Sequence, residues 1–472
     1  MKKLSELYPD YTLDDVAVNG IKINSKEVVP DDIFVCTTGV TADRHDFIDE
    51  AIKNGASSIV VSKKVDYDIP TIMVDDTNKE LPLLASRFYD YPEKNLDIIG
   101  ITGTNGKTTV ATIIQELLGD DICGYLGTNG IICSKFNEQI KNTTPDADRL
   151  YGYLRRFVDS GCKYLSMETS SEAFYRKRLS NLKFKIGVVT NVTEDHLNIH
   201  KTIDNYVSCK MELVKQVRDD GYSILNADDK YYSEFRSVSR GKILTYGKND
   251  SSLQIIDIKL SIRKTDVTLK YQDKLYSFSY SLLGEFNVYN LCGAILTLIA
   301  LGYSIDDIIK RVDRIKAPNG RVQFLDFGQK FDIILDYAHT TDAFSKIYEL
   351  LDKVKKGRLI TVTGSAGGRE KEKRPIMGNL VLLKSDYVIF TMDDPRYEKV
   401  EDIVKDLTSL SDKNNYEIIV DRKSAIARAF DLAESGDIVL VAGKGIDNYM
   451  AIEDKYLPYC DLEVIKDYFN NL

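Results

Sequence analysis

The sequence predicts an α/β protein with three domains, and three observations support this fold class. Short apolar runs alternate with helical patterns along most of the chain, and strands followed by helices are typical of parallel sheets. Several runs end in a loop that carries Gly, Asp, Asn or His, as expected where functional groups collect at the carboxyl ends of parallel strands. The length of 472 residues corresponds to about three domains of roughly 150 residues each.

Hydrophobic spacing and turn residues predict the individual strands, helices and domain boundaries. The predicted strands are IFVCTTG, SSIVVSK, PTIMVDD, LDIIGITG, KYLSMETS, KIGVVTNV, YSILNADD, KILTYGK, DIILDYAH, RLITVTGS, YVIFTMDD and DIVLVAGKG. KTTVATIIQELLG has the 3–4 spacing of a helix, and Leu291–Leu301 predicts a buried helix too short to span a bilayer. Leu253–Leu282 alternates and predicts a small antiparallel insertion. The turn-rich stretches DYPEKN and APNG separate domains at residues 1–93, 94–318 and 319–472.

Composition excludes several functional classes. Hydrophobic residues make up 43% and charged residues 29%, with a net charge of −9, so the chain has no electrostatic reason to bind nucleic acid or a membrane surface. The lysines near the N-terminus are not followed by an apolar segment, which argues against a signal peptide. The seven cysteines include no CxxC pair and are typical of a reduced, cytoplasmic protein. We expect a monomer.

The strongest motif is GITGTNGKTTVATIIQ, which begins at Gly100. A predicted strand runs into a Gly-rich turn, and Lys107 and Thr108 then open a helix. Backbone N–H groups at residues 103–107 can surround a phosphate, and the helix N-terminus favours negative charge there. Lys107 can reach the β- and γ-phosphates of a nucleotide, and the Thr108 hydroxyl can ligate Mg²⁺. The spacing T-G-T-N-G-K-T departs from the common G-x-x-x-x-G-K-[ST] pattern.

This variant loop resembles that of Mur ligases and their folylpolyglutamate synthase relatives, and the rest of the chain favours the former. Segments that resemble motifs of the tripeptide-forming Mur ligases follow in the same order: INSKEVVPDDIFVCTTG, RHDFIDEAIKNGA, NTTPDADRL, METSSEAFYRKRL, TNVTEDHLNIH, YVSCK, GEFNVYN, NGRVQ, DYAHTTDA, GGREKEKRP, DDPR and GKGIDNY. The resemblance implies an N-terminal α/β UDP-sugar-binding domain, a central parallel-sheet ATPase domain and a C-terminal Rossmann-like domain that binds an amino acid.

The resemblance also implies the residues that bind ATP and Mg²⁺. The phosphate-loop residues are Gly103, Thr104, Asn105, Gly106, Lys107, Thr108 and Thr109. The groups expected at the adenine, ribose and phosphates are Asn287, Asn290, Arg321, Asp336 and His339. The expected metal ligands are Thr108, Glu168, His196 and, once carbamylated by CO₂, Lys210. With Lys107, the last three would form the catalytic set, whereas His200 is interpreted as structural.

The remaining expected contacts hold a UDP-N-acetylmuramoyl dipeptide. They are Ser25 and His45 at the uridine diphosphate, and Thr143, Thr144, Ser170 and Arg178 at the muramoyl dipeptide. Two positions depart from the pattern of the family: Glu172 stands where His is common, and Arg44 stands where Gly is common.

The third domain is expected to select the incoming amino acid. The expected contacts are Arg369, Asp393, Asp394, Arg396, Gly443 and Asp447. Arg396 favours meso-diaminopimelate, because its guanidinium suits a second carboxylate. Asp394 favours L-lysine, whose side chain ends in an ammonium, and Asp447 replaces the usual Glu. The sequence leaves both amino acids open, with a slight preference for diaminopimelate.

The implied reaction is ATP-dependent addition of this third residue to UDP-N-acetylmuramoyl-L-alanyl-D-glutamate through an acyl phosphate. A Mur-type ligase that uses a different amine, an inactive nucleotide-binding regulator and a P-loop kinase are the alternatives. Intact Lys107, Glu168 and Lys210 argue against the regulator. The segments that resemble a UDP-sugar site argue against the kinase.

Overall fold

Apolar runs form the central strand of each sheet, because side chains on both faces of a parallel strand are buried. Every side chain of Tyr164–Glu168, Leu359–Thr363 and Ile438–Ala442 is buried. The computed structural model describes residues 1–11, 15–39, 43–195, 197–261, 263–315, 322–368, 371–445 and 447–471.

Internal contacts divide the chain into two compact units. The first unit contains Met1–Ile256, Leu269–Tyr276 and Val288–Arg311. The second contains Asp257–Thr268, Ser277–Asn287 and Val312–Leu472. The predicted three-domain boundaries stay a prediction, since the second of them falls on residues outside the described ranges.

The first unit contains the N-terminal sheet and most of the central sheet. The N-terminal sheet pairs parallel strands in the order Gly20–Lys22, Asp32–Val35, Ala56–Val61 and Thr71–Met73. The central sheet has the order Phe136–Glu138, Gly130–Cys133, Cys123–Gly127, Tyr164–Glu168, Asp97–Thr102, Phe184–Val189, Val217–Asn226 and Lys242–Gly247. Its strands are parallel from Cys123–Gly127 onward. The predicted insertion continues the order with Leu253–Leu260, Thr265–Tyr271 and Lys274–Tyr280.

The sheet of the second unit is parallel except at one edge. Its order is Gln323–Leu325, Asp332–Asp336, Ile438–Ala442, Leu359–Thr363, Tyr387–Phe390 and Tyr416–Ile418. The first two strands are antiparallel. Two short antiparallel pairs complete the described strands: Lys2–Lys3 with Ala17–Val18, and Tyr449–Ile452 with Lys455–Pro458.

Helices follow most strands. The α-helices are Leu4–Leu7, Ile48–Lys53, Thr77–Phe88, Lys107–Leu118, Ala147–Asp159, Ser171–Tyr175, Leu197–His200, Ile203–Lys215, Tyr232–Val238, Glu285–Ala300, Ile305–Val312, Thr341–Val354, Arg374–Lys384, Val400–Thr408, Arg422–Leu432 and Asp461–Asn470. Short 3₁₀ helices lie at Ser25–Glu27, Arg44–Phe47, Pro92–Lys94 and Lys371–Lys373.

The structure confirms the predicted strands and helices. Each predicted strand run overlaps an observed strand, and the helix predicted from Lys107 ends at Leu118. The apolar stretch Leu291–Leu301 lies almost entirely within the helix Glu285–Ala300. Among the described residues, no helix is both long and apolar enough to cross a membrane.

Candidate active site

The phosphate loop joins the strand Asp97–Thr102 to the helix Lys107–Leu118. Gly106 has a left-handed φ of 87°, and a Cβ atom there would lie 2.3 Å from Oδ1 of Asn290. Only glycine fits this position without displacing a neighbour. The helix that follows has no side-chain cap and no acidic residue in its first turn. Its N-terminal amides and dipole therefore remain available to an anion.

Asn191 supports the front of the loop. The N–H of Thr104 donates to its backbone oxygen at 2.8 Å, and the N–H of Asn105 donates to its Oδ1 at 3.0 Å. These two amides already have partners within the protein, so the first turn of the helix is the main anion-binding element. Lys107 Nζ donates to the carbonyls of Gly103 and Thr104 at 2.9 and 3.0 Å. Burial lowers the pKa of Lys107.

Glu168 ends the neighbouring strand and is fully buried. Its Oε1 accepts hydrogen bonds from the Tyr125 hydroxyl at 2.6 Å and the Thr128 N–H at 2.9 Å. Its Oε2 accepts one from the Thr108 hydroxyl at 3.0 Å. Each of these donors is neutral, and no described basic side chain forms an ion pair with Glu168. A buried carboxylate bonded only to neutral groups is suited to a cation from outside the protein.

Lys210 lies on the helix Ile203–Lys215 and is 1% exposed. Its Nζ lies 4.4 Å from the centroid of the Tyr206 ring, and no described acidic side chain forms an ion pair with it. Burial, followed by the nearby Lys107 ammonium, lowers the pKa of Lys210 well below its ordinary value. The side chain therefore favours a neutral amine. The expected ligand His196 lies outside the described residues.

A cavity of about 560 Å³ lies between residues 23–82 and residues 146–178 of the first unit. Its lining includes the basic residues Arg44, Arg176, Lys177 and Arg178. Glu172, one of the two departures from the family pattern, forms a 2.7 Å ion pair with Arg176. A space of this size with several cations matches an anionic ligand of substantial size.

The predicted UDP contacts are themselves engaged within the protein. The Ser25 hydroxyl donates to Glu50 at 2.5 Å. Nε2 of His45 accepts the Ser62 N–H at 3.0 Å, and Nδ1 lies 2.6 Å from Asp43. An Nε2 that accepts a hydrogen bond places the proton on Nδ1, so His45 donates to Asp43. Within this structure, His45 holds a loop in place.

The four expected dipeptide contacts surround the end of the Glu168 strand. The Thr144 hydroxyl donates to the Glu168 carbonyl at 2.9 Å and accepts the Ser170 N–H at 3.1 Å. Arg178 donates to the Thr144 carbonyl at 3.0 Å and pairs with Asp146 at 2.5 Å. The Thr143 hydroxyl lies 3.1 Å from that of Thr128, which itself contacts Glu168. The structure thus brings these residues together beside the buried carboxylate.

Three expected nucleotide contacts lie in the second unit. The Asn287 side chain donates at 2.8 Å to the carbonyl of Leu283, which precedes the helix Glu285–Ala300. Asp336 is buried and accepts the N–H groups of Val322 and Ala338 at 2.6 and 2.7 Å. His339 is exposed, with Nδ1 2.8 Å from the Tyr337 carbonyl. Arg321 lies outside the described residues.

A second cluster of charges lies at the carboxyl ends of two strands of the second unit. Lys444 is fully buried, and its Nζ donates to Asp394 at 2.8 Å and to Asp447 at 3.2 Å. Its ammonium also lies 4.5 Å from the centroid of the Tyr449 ring. Lys444 therefore joins two of the three acids that the sequence assigned to the incoming amino acid.

Arg396 has no such partner. No described acidic side chain forms an ion pair with it, and its buried Nε has no hydrogen-bond partner. Asp394 and Arg396 both have left-handed backbones, with φ of 47° and 52°, a conformation that costs of order 1 kcal/mol or more for residues other than glycine. The Asp394 side chain accepts the Ala451 N–H, and the Arg396 N–H donates to the Ala451 carbonyl. The adjacent hairpin thus maintains this strained segment.

Gly443 and Asp393 pack against each other in the same cluster. A Cβ atom on Gly443 would lie 2.2 Å from Oδ2 of Asp393. Burial raises the pKa of Asp393 and so favours its neutral form. Gly368 lies beside Arg396, because a Cβ atom there would meet its Cδ at 3.8 Å. The next residue, Arg369, lies outside the described ranges.

Sequence comparison identifies the family. Residues 17–92 match the family described as Mur ligase family, catalytic domain, residues 101–298 match the Mur ligase middle domain, and residues 320–445 match the Mur ligase, glutamate ligase domain. The chain belongs to the Mur ligase family.

Relatives of this Mur ligase are similar over nearly their whole length. UDP-N-acetylmuramoyl-L-alanyl-D-glutamate–2,6-diaminopimelate ligase of Aquifex aeolicus is 37% identical over 98% of this chain and 96% of its own. The enzyme of the same name from Fusobacterium nucleatum is 37% identical over 96% of this chain and 94% of its own.

Solved structures agree with the fold of this Mur ligase. A structure of a ligase with the same name is 27% identical, with a TM-score of 0.76 over 100% of this chain and 99% of the other. MurF ligase from Thermotoga maritima, in complex with ADP, is 20% identical, with a TM-score of 0.62 over 96% and 97% of the two chains. The predicted α/β fold with the three-domain Mur ligase architecture is confirmed, and so is its assignment as an ATP-dependent ligase that forms amide bonds.

Sequence reasoning missed two residues of these sites in this Mur ligase. Tyr125 donates to Glu168 from a strand 43 residues earlier, and no local pattern indicates such a contact. Lys444 lies inside the motif GKGIDNY. Both DDPR and GKGIDNY follow predicted strands. Because the carboxyl ends of parallel strands meet at one edge of the sheet, the lysine of the second motif could have been expected near the acids of the first.

Proposed function

We propose that this Mur ligase adds meso-diaminopimelate to the D-glutamate of UDP-N-acetylmuramoyl-L-alanyl-D-glutamate, with hydrolysis of ATP to ADP and phosphate. Relatives that carry this name are 37% identical over nearly the full length. The amino-acid choice is supported by one observation: Asp394 pairs with Lys444 and leaves Arg396 without an acidic partner.

The charges of the second cluster suit diaminopimelate. The formal charges of Lys444 and Arg396 offset those of Asp394 and Asp447, and burial raises the pKa of Asp393 in the same cluster. The distal end of diaminopimelate carries an ammonium and a carboxylate, so it is also neutral overall, and it could pair with an acid and with Arg396 at once. A lysine side chain would bring one positive charge and would leave the guanidinium unpaired, which is costly in a buried site.

The central cluster fits Mg²⁺. Carboxylate and hydroxyl oxygens are the ligands that Mg²⁺ prefers, and Glu168 and Thr108 offer them at the mouth of the phosphate loop. Bound there, Mg²⁺ would offset negative charge on the phosphoryl group that is transferred. The uncapped first turn of the helix Lys107–Leu118 would bind the phosphates.

The residues of the chain would act in two successive steps. Lys107 would move from the Gly103 and Thr104 carbonyls to the phosphates, where its ammonium stabilises charge as the D-glutamate carboxylate attacks the γ-phosphorus and ADP leaves. Arg178 and Thr144 would orient the dipeptide, because both lie at the Glu168 strand end. The diaminopimelate amine, in its neutral form, would then attack the acyl carbon, and phosphate would leave with the proton that the nitrogen loses as the amide forms.

We extend the proposal to Lys210 as a carbamate. A neutral amine attacks CO₂ to form a carbamate and releases one proton. Burial of Lys210 and its lowered pKa both favour that amine. The carbamate would place an anion where the buried amine stands, and that anion could help to hold a second Mg²⁺.

The direct test is phosphate release by the purified chain with ATP, Mg²⁺ and the UDP-linked dipeptide. Release should depend on diaminopimelate, and the product should carry one added diaminopimelate residue by mass spectrometry. Release with L-lysine alone would contradict the amino-acid assignment. Release without any amino acid, or none with any, would contradict the proposed reaction.

A further inference from the structure

The cavity in the first unit contains one cation that differs from the others. Three of its basic residues form ion pairs: Arg176 with Glu172 at 2.7 Å, Lys177 with Asp76 at 2.6 Å, and Arg178 with Asp146 at 2.5 Å. Arg44 contacts the neutral hydroxyl of Thr37. No described acidic side chain forms an ion pair with Arg44.

The backbone around Arg44 is held firmly. Its N–H donates to the Thr37 carbonyl at 3.2 Å, and Thr38 and Asp43 form an isolated antiparallel β-bridge. The acid next to Arg44, Asp43, is engaged by Lys63 and by His45. Asp43 is therefore directed to other partners, and the guanidinium stays available at the cavity wall.

An unpaired guanidinium in a cavity favours an anion, because its planar N–H groups match two phosphate oxygens at once. Arg178 and Asp146 line the same cavity, and Arg178 also contacts Thr144 beside the Glu168 carboxylate. The cavity thus extends from Arg44 toward the groups assigned to the dipeptide. A ligand with its peptide at that end would have its nucleotide portion toward Arg44.

From this arrangement we infer that Arg44 binds the diphosphate of the UDP-linked substrate. The inference rests on the proposed function for the identity of the ligand, and it adds to the cavity a charge that the other basic residues cannot supply, since each of them already has an acid. It also gives a role to one of the two positions at which this chain departs from its family.

The test is isothermal titration of UDP and of uridine into the wild-type chain and into Arg44→Ala. The loss of charge-assisted hydrogen bonds should weaken UDP binding by about tenfold or more. Uridine lacks phosphates, so its affinity should be unchanged. Arg44→Lys keeps the charge but lacks the planar guanidinium, so its affinity for UDP should lie between those of the wild type and Arg44→Ala. In ligation, Arg44→Ala should raise the KM for the UDP-linked dipeptide and leave kcat and the KM for ATP unchanged.

Lys64→Ala is the matched control. Lys64 is an exposed lysine of the same region that does not line the cavity, and its loss changes the net charge by the same amount. Thermal unfolding would establish that each variant is folded. Equal UDP affinity in wild type and Arg44→Ala would overturn the inference, as would an equal loss of UDP and uridine binding. A wild-type chain that does not bind UDP would overturn the proposed substrate as well, which separates the two failures.

Discussion

Two clusters of buried charge in this Mur ligase are neutralised in different ways. Glu168 in the first unit accepts hydrogen bonds from neutral donors only. Asp394 and Asp447 in the second unit share the ammonium of Lys444. Glu168 therefore has no ion pair with a described basic side chain, whereas Asp394 and Asp447 share one. This difference supports the proposal that the first site takes a metal ion with phosphates and the second takes a zwitterion.

The largest expected effect is at the first cluster. Glu168→Gln keeps the shape of the side chain but removes the charge that would hold Mg²⁺, so kcat should fall by about 10³-fold, the worth of roughly 4 kcal/mol. Mg²⁺ with a non-hydrolysable ATP analogue should raise the Tm of the wild type and have a smaller effect on the variant. Equal shifts in both proteins would contradict the metal assignment.

Lys210→Ala should lower ligation by at least about a hundredfold, because the carbamate would be lost. Short-chain carboxylic acids should restore part of the activity by supplying an anion. Lys215→Ala on the same helix is the control, because Lys215 forms a partly exposed ion pair with Glu212. The activity of Lys215→Ala should equal that of the wild type. Full activity of Lys210→Ala would exclude the carbamate.

Much of the first cluster could be predicted from the sequence, because its determinants are local. A strand, a Gly-rich turn and a lysine that opens a helix lie within a single stretch, and the observed loop follows that prediction. The contact of Tyr125 with Glu168 could not be predicted in this way, since it depends on the order of strands in the sheet.

In the second cluster the sequence identified the acids and Arg396 but left the amino acid open. In the structure, Asp394 pairs with Lys444 and not with Arg396. The partner of Asp394 depends on how the ends of two strands and a hairpin pack together, and residue spacing does not specify this packing. The expected roles of the site residues all stay predictions, and His196, Arg321 and Arg369 also lie outside the described ranges.

Arg396→Ala tests the proposed contact with the distal carboxylate in the second cluster. It removes the proposed partner of the distal carboxylate, so the KM for diaminopimelate should rise by at least about tenfold, the worth of roughly 1.4 kcal/mol. The KM for ATP should be unchanged. Lys399→Ala, an exposed change close in sequence, is the control. An unchanged KM for diaminopimelate in Arg396→Ala would show that Arg396 does not contact the substrate.

Lys444→Met tests the internal cation itself. Asp394 and Asp447 would then be left without an ammonium, and a substrate ammonium could take its place. The ratio of kcat/KM for L-lysine to that for diaminopimelate should rise by about tenfold. Lys444→Arg should keep the wild-type ratio if the protein remains folded. An unchanged ratio in Lys444→Met would show that the charge of Lys444 does not determine which amino acid is selected.

The smallest expected effect is on acid stability. Hydrogen bonds from Arg374 lower the pKa of Glu398 to about 2. Because the folded pKa lies below the unfolded value near 4.5, the stabilisation is present above pH 4.5 and is lost as the pH falls toward about 2. Glu398→Gln should therefore lower Tm at neutral pH and flatten the dependence of Tm on pH in that window. A dependence as steep as that of the wild type would exclude this pair as the cause.

A competition experiment tests directly whether the chain prefers meso-diaminopimelate to L-lysine. The wild-type chain would receive ATP, Mg²⁺, the UDP-linked dipeptide and equal concentrations of meso-diaminopimelate and L-lysine, and the products would be separated by mass. The pairing of Asp394 with Lys444, which leaves Arg396 without an acidic partner among the described residues, predicts a product that is almost entirely the diaminopimelate tripeptide. A product that is mainly the lysine tripeptide would contradict the assignment of Arg396 and Lys444.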